Sequence, residues 1–413
     1  MHPQDGTRGR LVWGVGLTGL VLVVFSVLIV FVYRRGSSLP PTAQRSDMDW
    51  AREVERRNST GHELGEAVVA AGNGFSVVGH TNSRQPGVQQ AWVLRFDKAP
   101  PPRWERTYGG RLGTLGHALA ALPAGGLVVA GEEQVDPERF RGWLLALSPE
   151  GSVLWERTPG REGFNGLNAV SVLEDGSIVA GGAQDGAGWV VRMDPRGELL
   201  RDMKLPQLEQ VTALVALPEQ RIAVVGTADS STTGLGTSRL ILLEADGRTL
   251  QERRLPAQGH GELAALTPLP AGGLVATGRS SPPDSTDWKL WVICLDERGE
   301  TRWERVLDGT EVEAGRAITA FPDGSVAVVG YTLNQMGDRE AKVWRFSADG
   351  RPLWQQTQGG AGEDLGYGIA RLADGSLVVV GSTTSKGAGK TDLWTFGLSP
   401  EGQLLWEETF GAP

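Results

Sequence analysis

The sequence has very little of the residue chemistry that builds disulfides, metal centres and covalent catalysis. Cysteine occurs once among 413 residues, at Cys294, which excludes an intrachain disulfide and a cysteine-based zinc site. Histidine occurs five times and never at the i, i+4 spacing of a helical zinc site. Neither the nucleophile pattern G-x-S-x-G nor a Walker loop is present. We therefore predict no catalytic residue, no metal site and no cofactor, and hence a protein that is not an enzyme.

Long apolar runs are also scarce, with one exception at residues 11–33, "LVWGVGLTGLVLVVFSVLIVFVY". This run of 23 uncharged residues is long enough to cross a hydrocarbon core of about 30 Å. It exceeds the core of a signal peptide and is followed by "RRGSS" rather than a small-x-small cleavage site, so a retained transmembrane anchor is favoured over a cleaved signal. Arginines flank both ends in nearly equal number, which leaves the orientation open.

Positive charge is in deficit after the anchor. Residues 36–413 hold 36 Lys and Arg against 48 Asp and Glu, a net charge of −12. Such a chain is poorly suited to bind nucleic acid or an anionic membrane surface. We expect no nucleic-acid partner.

What the sequence does contain is a phrase repeated seven times, typified by "ADGSLVVVGS" at 373–382. Each copy has a turn, a short apolar run and a closing glycine, and the copies are 45 to 52 residues apart. The closing glycines are Gly79, Gly131, Gly181, Gly226, Gly278, Gly330 and Gly381. Repeats of this period, with four strand-length segments and no helical periodicity, are typical of propeller blades.

Two further patterns repeat with the same period. One position of the first strand is always small, as expected where blades converge on a central axis: Ala67, Ala118, Ala169, Ala213, Ala265, Ala317 and Gly368. Tryptophan recurs on the third strand and on the fourth, where it is predicted to fill the widening space between blades. These structural tryptophans are Trp92, Trp143, Trp189, Trp291 and Trp394 on the third strand, and Trp104, Trp155, Trp303, Trp354 and Trp406 on the fourth.

The repeat, seen in "DGSLVVVG…DLWTFGLSPEGQLLWEE", resembles that of the PQQ-like (quinoprotein-type) β-propeller superfamily. The resemblance implies a non-enzymatic, membrane-anchored bacterial member, because the quinone enzymes of that superfamily use a vicinal cysteine pair that one cysteine cannot supply. The predicted fold is all-β, a seven-bladed propeller with four antiparallel strands per blade, preceded by one transmembrane helix. The predicted segments are a tail (1–10), the anchor (11–33), a linker with a potential extra strand (34–61) and the propeller (62–413). The repeats are placed at about 62–110, 111–160, 161–206, 207–256, 257–309, 310–360 and 361–413.

Candidate site residues fall into two groups. A variable residue stands beside each small hub residue and is predicted to line the channel mouth, either as a water-filled ring or as a site for an anionic or sugar-like ligand. This channel ring is Glu66, His117, Asn168, Thr212, Arg316 and Tyr367. The long polar connections between second and third strands form a loop face suited to binding. Its candidate residues are Arg84, Glu133, Arg139, Asp287, Tyr331, Asn334, Lys386 and Asp392.

Three weaker patterns remain open. Acidic residues before blades 6 and 7 fit either a cation site or a solvated acidic rim: Asp308, Glu311, Glu313, Glu363 and Asp364. His117 and Glu66 are a conceivable acid–base pair, but adjacent blades alone do not establish hydrogen-bond geometry. The segment "MDWAREVERR" (48–57) mimics a fourth strand and fits either an added edge strand or a charged tether or short helix.

The leading hypothesis is a membrane-tethered, non-catalytic propeller that serves as a protein-interaction scaffold in a bacterial envelope complex. Its partners are the membrane, through residues 11–33, and one or more proteins. The location that the resemblance implies is the inner membrane, as a single-pass protein with a periplasmic propeller. The alternative is a lectin-like propeller that binds a glycan or small ligand, and a propeller enzyme ranks below both.

Overall fold

The computed structural model describes residues 61–411, apart from 86, 138, 161–164, 229–235, 256–258, 283–284, 286, 308–311 and 389. The predicted tail, anchor and linker, including 48–57, lie outside the described residues, as do Asp308 and Glu311. Within the described part of the chain, no helix is long and apolar enough to span a membrane.

The described residues form seven antiparallel sheets, each made of four consecutive strands. Blade 1 contains β1 (Glu63–Ala71), β2 (Gly74–Thr81), β3 (Gln90–Phe96) and β4 (Trp104–Tyr108). Blade 2 contains β5 (Thr114–Ala121), β6 (Leu127–Asp136), β7 (Arg139–Leu147) and β8 (Val153–Arg157). Blade 3 contains β9 (Asn165–Val172), β10 (Ile178–Gln184), β11 (Ala187–Met193) and β12 (Leu199–Leu205). Blade 4 contains β13 (Gln210–Leu217), β14 (Arg221–Ala228), β15 (Thr237–Leu243) and β16 (Thr249–Leu255).

The second half of the chain continues the pattern. Blade 5 contains β17 (His260–Pro268), β18 (Leu274–Ser281), β19 (Lys289–Leu295) and β20 (Thr301–Val306). Blade 6 contains β21 (Glu313–Ala320), β22 (Val326–Leu333), β23 (Arg339–Phe346) and β24 (Pro352–Gln358). Blade 7 contains β25 (Asp364–Arg371), β26 (Leu377–Thr383), β27 (Asp392–Leu398) and β28 (Leu404–Phe410). The all-β, seven-bladed prediction is confirmed.

The first strand of every blade contacts the first strand of the next, and β25 contacts β1, so the ring is closed. Among the described residues, closure uses no shared sheet, because the four strands of blade 1 are consecutive in the chain and so are the four strands of blade 7. The seam is joined instead by a parallel bridge between His62 and Thr391, in which the Glu63 amide donates to the Thr391 carbonyl at 2.9 Å. The His62 ring also contacts the Thr391 hydroxyl at 3.0 Å.

The alignment of unit three differs by one residue from the sequence prediction. Gly182, not Gly181, pairs with Trp189, as Gly79 pairs with Trp92 and Gly131 with Trp143. The sequence "GG" at this point offers two equivalent choices, and only the hydrogen-bond register distinguishes them.

Tryptophans of the third and fourth strands occupy different environments. The five third-strand indoles are at most 4% exposed and lie in the cores between blades. Four of them donate from Nε1 to a fourth-strand carboxylate at 2.6 to 2.8 Å: Trp143, Trp189, Trp291 and Trp394. The fourth-strand indoles are half-buried, except Trp155 at 9% exposure.

Four fourth-strand indoles cover the turn between the third and fourth strands of the following blade. Trp104 Nε1, for example, donates to the Pro149 carbonyl at 3.0 Å. The ring lies over Gly151, whose φ of 80° favours glycine and whose added Cβ would come within 3.1 Å of the indole. Trp155, Trp303 and Trp354 repeat the contact. The glycine turns predicted from the sequence therefore also serve as docking points between consecutive blades.

Candidate functional site

A β-bulge interrupts the first strand of every blade at the same place, next to the small hub residue. The extra residue of a bulge is unpaired, and bulges are common where a side chain must be re-aimed. The seven bulged residues are Glu66, His117, Asn168, Thr212, Ala264, Arg316 and Tyr367. The residues of the predicted channel ring thus all lie at bulges, at the end of the first strands from which the long loops begin, and we call this end of the propeller the mouth.

The bulged residues of blades 1 and 2 face a partner on their own second strand. Glu66 Oε1 is 3.7 Å from Nδ1 of the buried His80, and His117 Nε2 is 3.8 Å from Glu132 Oε1. Each histidine is therefore beside a carboxylate of its own blade. The suggested pairing of His117 with Glu66 is not what the structure contains.

Blades 3 and 4 use their bulged residues to hold neighbouring blades together. Asn168 Nδ2 donates to the Val211 carbonyl at 3.0 Å, which links blade 3 to blade 4. The Thr212 hydroxyl contacts the Leu263 carbonyl at 2.8 Å, which links blade 4 to blade 5. These two side chains therefore act as structural bonds between blades.

The mouth formed by blades 5, 6 and 7 is rich in arginine and tyrosine. Arg279 makes a two-point contact with Glu262 Oε2, at 2.9 Å from Nε and 2.7 Å from Nη2. Partial burial opposes the charge of Arg279, but the Glu262 carboxylate and the Tyr331 hydroxyl hold its pKa above the usual value. Arg339 pairs with Glu363 at 3.1 Å, and its guanidinium carbon lies 5.3 Å from the Tyr331 ring.

Arg316 is the exposed member of this cluster. Its guanidinium carbon lies 5.8 Å from the Tyr331 ring centre of its own blade and 5.9 Å from the Tyr367 ring centre of blade 7. Among the residues that the structure describes, no carboxylate is within ion-pair distance of Arg316. The two rings hold the charged group in place through cation–π attraction and leave its N–H groups available.

The loop-face candidates are mostly engaged in bonds inside their own blade. Arg84 pairs with Glu105, Glu133 with Arg141, Arg139 with Asp136, and Lys386 with Glu407. Asn334 accepts from the Met336 and Asp338 amides and shapes its loop. Asp392 is buried at 1% exposure, Tyr331 is buried in the arginine cluster, and Asp287 is exposed. Most of the eight residues are therefore held by bonds inside their own blades, and their joint role as a binding surface stays a prediction.

The described members of the acidic group are separately bonded. Glu313 pairs with Lys342 at 2.6 Å, and both side chains are buried. Asp364 accepts from the Ser385 and Thr383 hydroxyls, and Glu363 pairs with Arg339. Within the described residues no group of three or more His, Cys, Asp or Glu side chains is arranged to hold a metal ion.

One small pocket on the loop side of blade 2 was not anticipated. Its volume is about 290 Å³, and it is lined by Gly109, Gly110, Glu133, Arg141, Glu156, Arg157 and Thr158. Its charged groups are already bonded, since Glu133 contacts Arg141 and Glu156 accepts from Trp143.

Sequence reasoning also missed the second half of the mouth. His80, Glu132 and Arg279 each follow a closing glycine directly, and this shared position on the second strand places each within 4 Å of a charged side chain of the first strand: Glu66, His117 and Glu262 respectively. The signal was the repeat itself: a polar residue recurs at one step beyond the glycine, where the apolar run has ended.

Comparison with known proteins supports the repeat assignment and the fold. Residues 289–413 match a family model described as outer membrane protein assembly factor BamB. No curated protein sequence gives a match. The structure of Sqt1 from Chaetomium thermophilum aligns over 84% of this chain and 87% of that chain, with a TM-score of 0.52 and 14% identity.

Two further solved structures align at similar levels. The β-propeller domain of the Trilobed protease from Pyrococcus furiosus, which has an open velcro topology, gives a TM-score of 0.50 at 11% identity over 85% of this chain and 95% of that chain. Puromycin hydrolase gives 0.51 at 17% identity over 86% of this chain but only 54% of the hydrolase. At these identities the structures show the fold alone.

Proposed function

We propose that this chain, a seven-bladed propeller of the PQQ-like superfamily, is a membrane-tethered, non-catalytic scaffold that binds a protein partner in a bacterial envelope complex. The observation that carries the proposal is the match of residues 289–413 to a family described as an outer membrane protein assembly factor. The matched segment includes all of blades 6 and 7, which carry Arg316, Tyr331 and Tyr367 at the mouth.

Further support comes from Sqt1, one of the solved structures that share this fold. Sqt1 has been crystallised bound to the N-terminus of ribosomal protein L10, so a propeller of this fold can hold an end segment of another protein. A rigid ring with variable loops on one side is suited to this task, because the loops can vary without cost to the core. The apolar run at 11–33 supports tethering to a membrane. Placement of the propeller in the periplasm is supported by the resemblance to the PQQ-like superfamily and not by the run itself.

Crosslinking in intact cells tests the scaffold. The full chain with a C-terminal tag is crosslinked, extracted from membranes and purified, and a variant lacking residues 11–33 serves as the control for tethering. We expect a reproducible protein partner with the full chain and a loss of membrane fractionation with the control. Absence of any reproducible partner would refute the scaffold function.

A separate experiment tests on which side of the membrane the propeller lies. A reporter enzyme active only outside the cytoplasm is fused after residue 413. An active fusion agrees with the periplasmic placement, and an inactive fusion together with an active cytoplasmic reporter at the same position contradicts it.

Binding of a glycan or small ligand is the second candidate, and the polar pocket of about 290 Å³ on blade 2 favours it. Calorimetric titration of the purified chain with a panel of envelope polysaccharides tests this. Glu133→Gln removes one lining charge, so binding through the pocket predicts weaker affinity in that variant.

A further inference from the structure

We infer that the arginine–tyrosine cluster at the mouth of blades 5 to 7 is a binding site for an acidic protein segment, with Arg316 receiving a carboxylate. The inference deepens the proposed scaffold function by naming the chemistry of the partner. It rests on Arg279, Arg316, Tyr331, Arg339 and Tyr367, whose contacts are described above.

The first step is the charge balance of the cluster. Three arginines face two glutamates, and Arg279 and Arg339 each have their own carboxylate. Arg316 is therefore the cation that is left over among the described residues of this cluster. In a chain of net charge −9, a local excess of positive charge is unusual, and burying it against a partner requires an opposite charge.

The second step is preorganisation. The Arg316 guanidinium carbon lies within cation–π distance of two tyrosine rings from adjacent blades, 5.8 Å from the ring centre of Tyr331 and 5.9 Å from that of Tyr367. A held, planar guanidinium presents parallel N–H groups that match a carboxylate at two points, and less side-chain entropy is lost on binding. Arginine and tyrosine are also the residue types that most often dominate binding energy at protein interfaces.

The third step distinguishes a protein segment from a polyanion. Glu262 and Glu363 stand among the arginines, so the described residues of the cluster have an excess of one positive charge, too little to favour a phosphate-rich ligand. Met336, at 78% exposure, lies on the loop of the same blade, and Asn334 holds that loop in its turn. An exposed methionine on a loop that begins three residues after Tyr331 offers a contact for an apolar side chain of a peptide. The favoured partner therefore presents a carboxylate next to an apolar residue.

The test uses the full chain in detergent and a peptide of sequence GSLEGSLEGS, with GSLQGSLQGS as the neutral twin. Both peptides are amidated at the C-terminus and carry an uncharged BODIPY label at the N-terminus. Fluorescence anisotropy gives the affinity of each. We expect the glutamate peptide to bind at least about tenfold more tightly than its twin, since one charge-assisted two-point contact has that order of effect. Arg316→Gln is expected to remove the difference. Met336→Ser is expected to weaken both peptides several-fold.

Arg298→Gln is the matched control, because it removes the same charge from an exposed turn between the third and fourth strands, at the opposite end of the blade. It should bind like the parent chain. Equal affinity for the two peptides, or an Arg316→Gln variant that retains the difference, would overturn the inference. Displacement of the peptide by inorganic phosphate at lower concentration than by acetate would assign the site to a phosphate ligand and would also overturn it.

The crosslinking experiment separates this inference from the function on which it rests. If the parent chain and the Arg316→Gln variant capture a partner equally, the scaffold function is supported and the proposed site is refuted. If peptide binding depends on Arg316 but no partner is captured, the proposed site is supported and the scaffold function is refuted.

Discussion

Two tryptophans of adjacent blades give a sharp test of how the propeller is held together. Trp143 on the third strand of blade 2 is 0% exposed, and its Nε1 donates to Glu156 at 2.6 Å. Trp104 on the fourth strand of blade 1 is half-buried over Gly151. The residue type is the same, so the difference in burial should decide the cost of removing each indole.

The expected losses of stability follow from the surface area that each indole buries. Burying a whole indole removes about 150–250 Å² from water, which corresponds to roughly 4–6 kcal/mol before correction for the compact unfolded state. Trp143→Ala also leaves a cavity, and we expect a loss of about 3–5 kcal/mol in the free energy of unfolding. Trp104→Ala removes roughly half that area at a surface that water can refill, so about 1–2 kcal/mol is expected.

The measurement is equilibrium urea unfolding of the purified chain followed by far-ultraviolet circular dichroism, which does not depend on tryptophan fluorescence. Comparison at constant m-value is required, because a changed slope indicates loss of two-state behaviour rather than of stability alone. Trp143→Phe is the control, since it retains an aromatic ring in the core and should cost less than Trp143→Ala. If Trp104→Ala costs as much as Trp143→Ala, the third-strand indoles are not the principal filling of the cores, and the reasoning from burial is wrong.

Three further predictions concern the hub, a buried ion pair and the turns. Gly368→Ala is expected to cost about 1–3 kcal/mol in the free energy of unfolding, measured by urea denaturation, because the new Cβ would lie 3.0 Å from the blade 1 backbone. Glu313→Gln should cost about 3 kcal/mol, since it leaves the buried Lys342 without the carboxylate at 2.6 Å, and the double variant with Lys342→Met should be less destabilised than the single one. Hydrogen bonds from turn serines hold the pKa of Asp323 and Asp374 below 3.8, so the unfolded chain binds more protons near that pH. The two carboxylates stabilise the folded chain above about pH 4, and this stabilisation is lost as the pH falls below that value. In the double variant Asp323→Asn and Asp374→Asn, the urea midpoint should therefore depend less on pH in that range than in the parent chain.

Local patterns determined much of this protein without any structure. The seven repeats, the strand-length runs, the glycine turns and the small hub residue all depend on near neighbours in the chain or on strict recurrence. Blade number follows from counting such units, because each unit is one four-stranded sheet. The same recurrence singled out the variable positions beside the small hub residue, but that each of them is a β-bulge is known only from the strand register.

The tertiary structure decided the chemistry of the mouth. Glu66 lies 3.7 Å from His80 and His117 lies 3.8 Å from Glu132, each on its own blade, whereas the equivalent bulged residues Asn168 and Thr212 bond to the next blade. The eight loop-face candidates were chosen for their polarity, yet most are bonded within their blades, which polarity alone does not reveal. Arg316 gains its two tyrosines from positions 15 and 51 residues away, and only the packing of blade 6 against blade 7 brings them to one place.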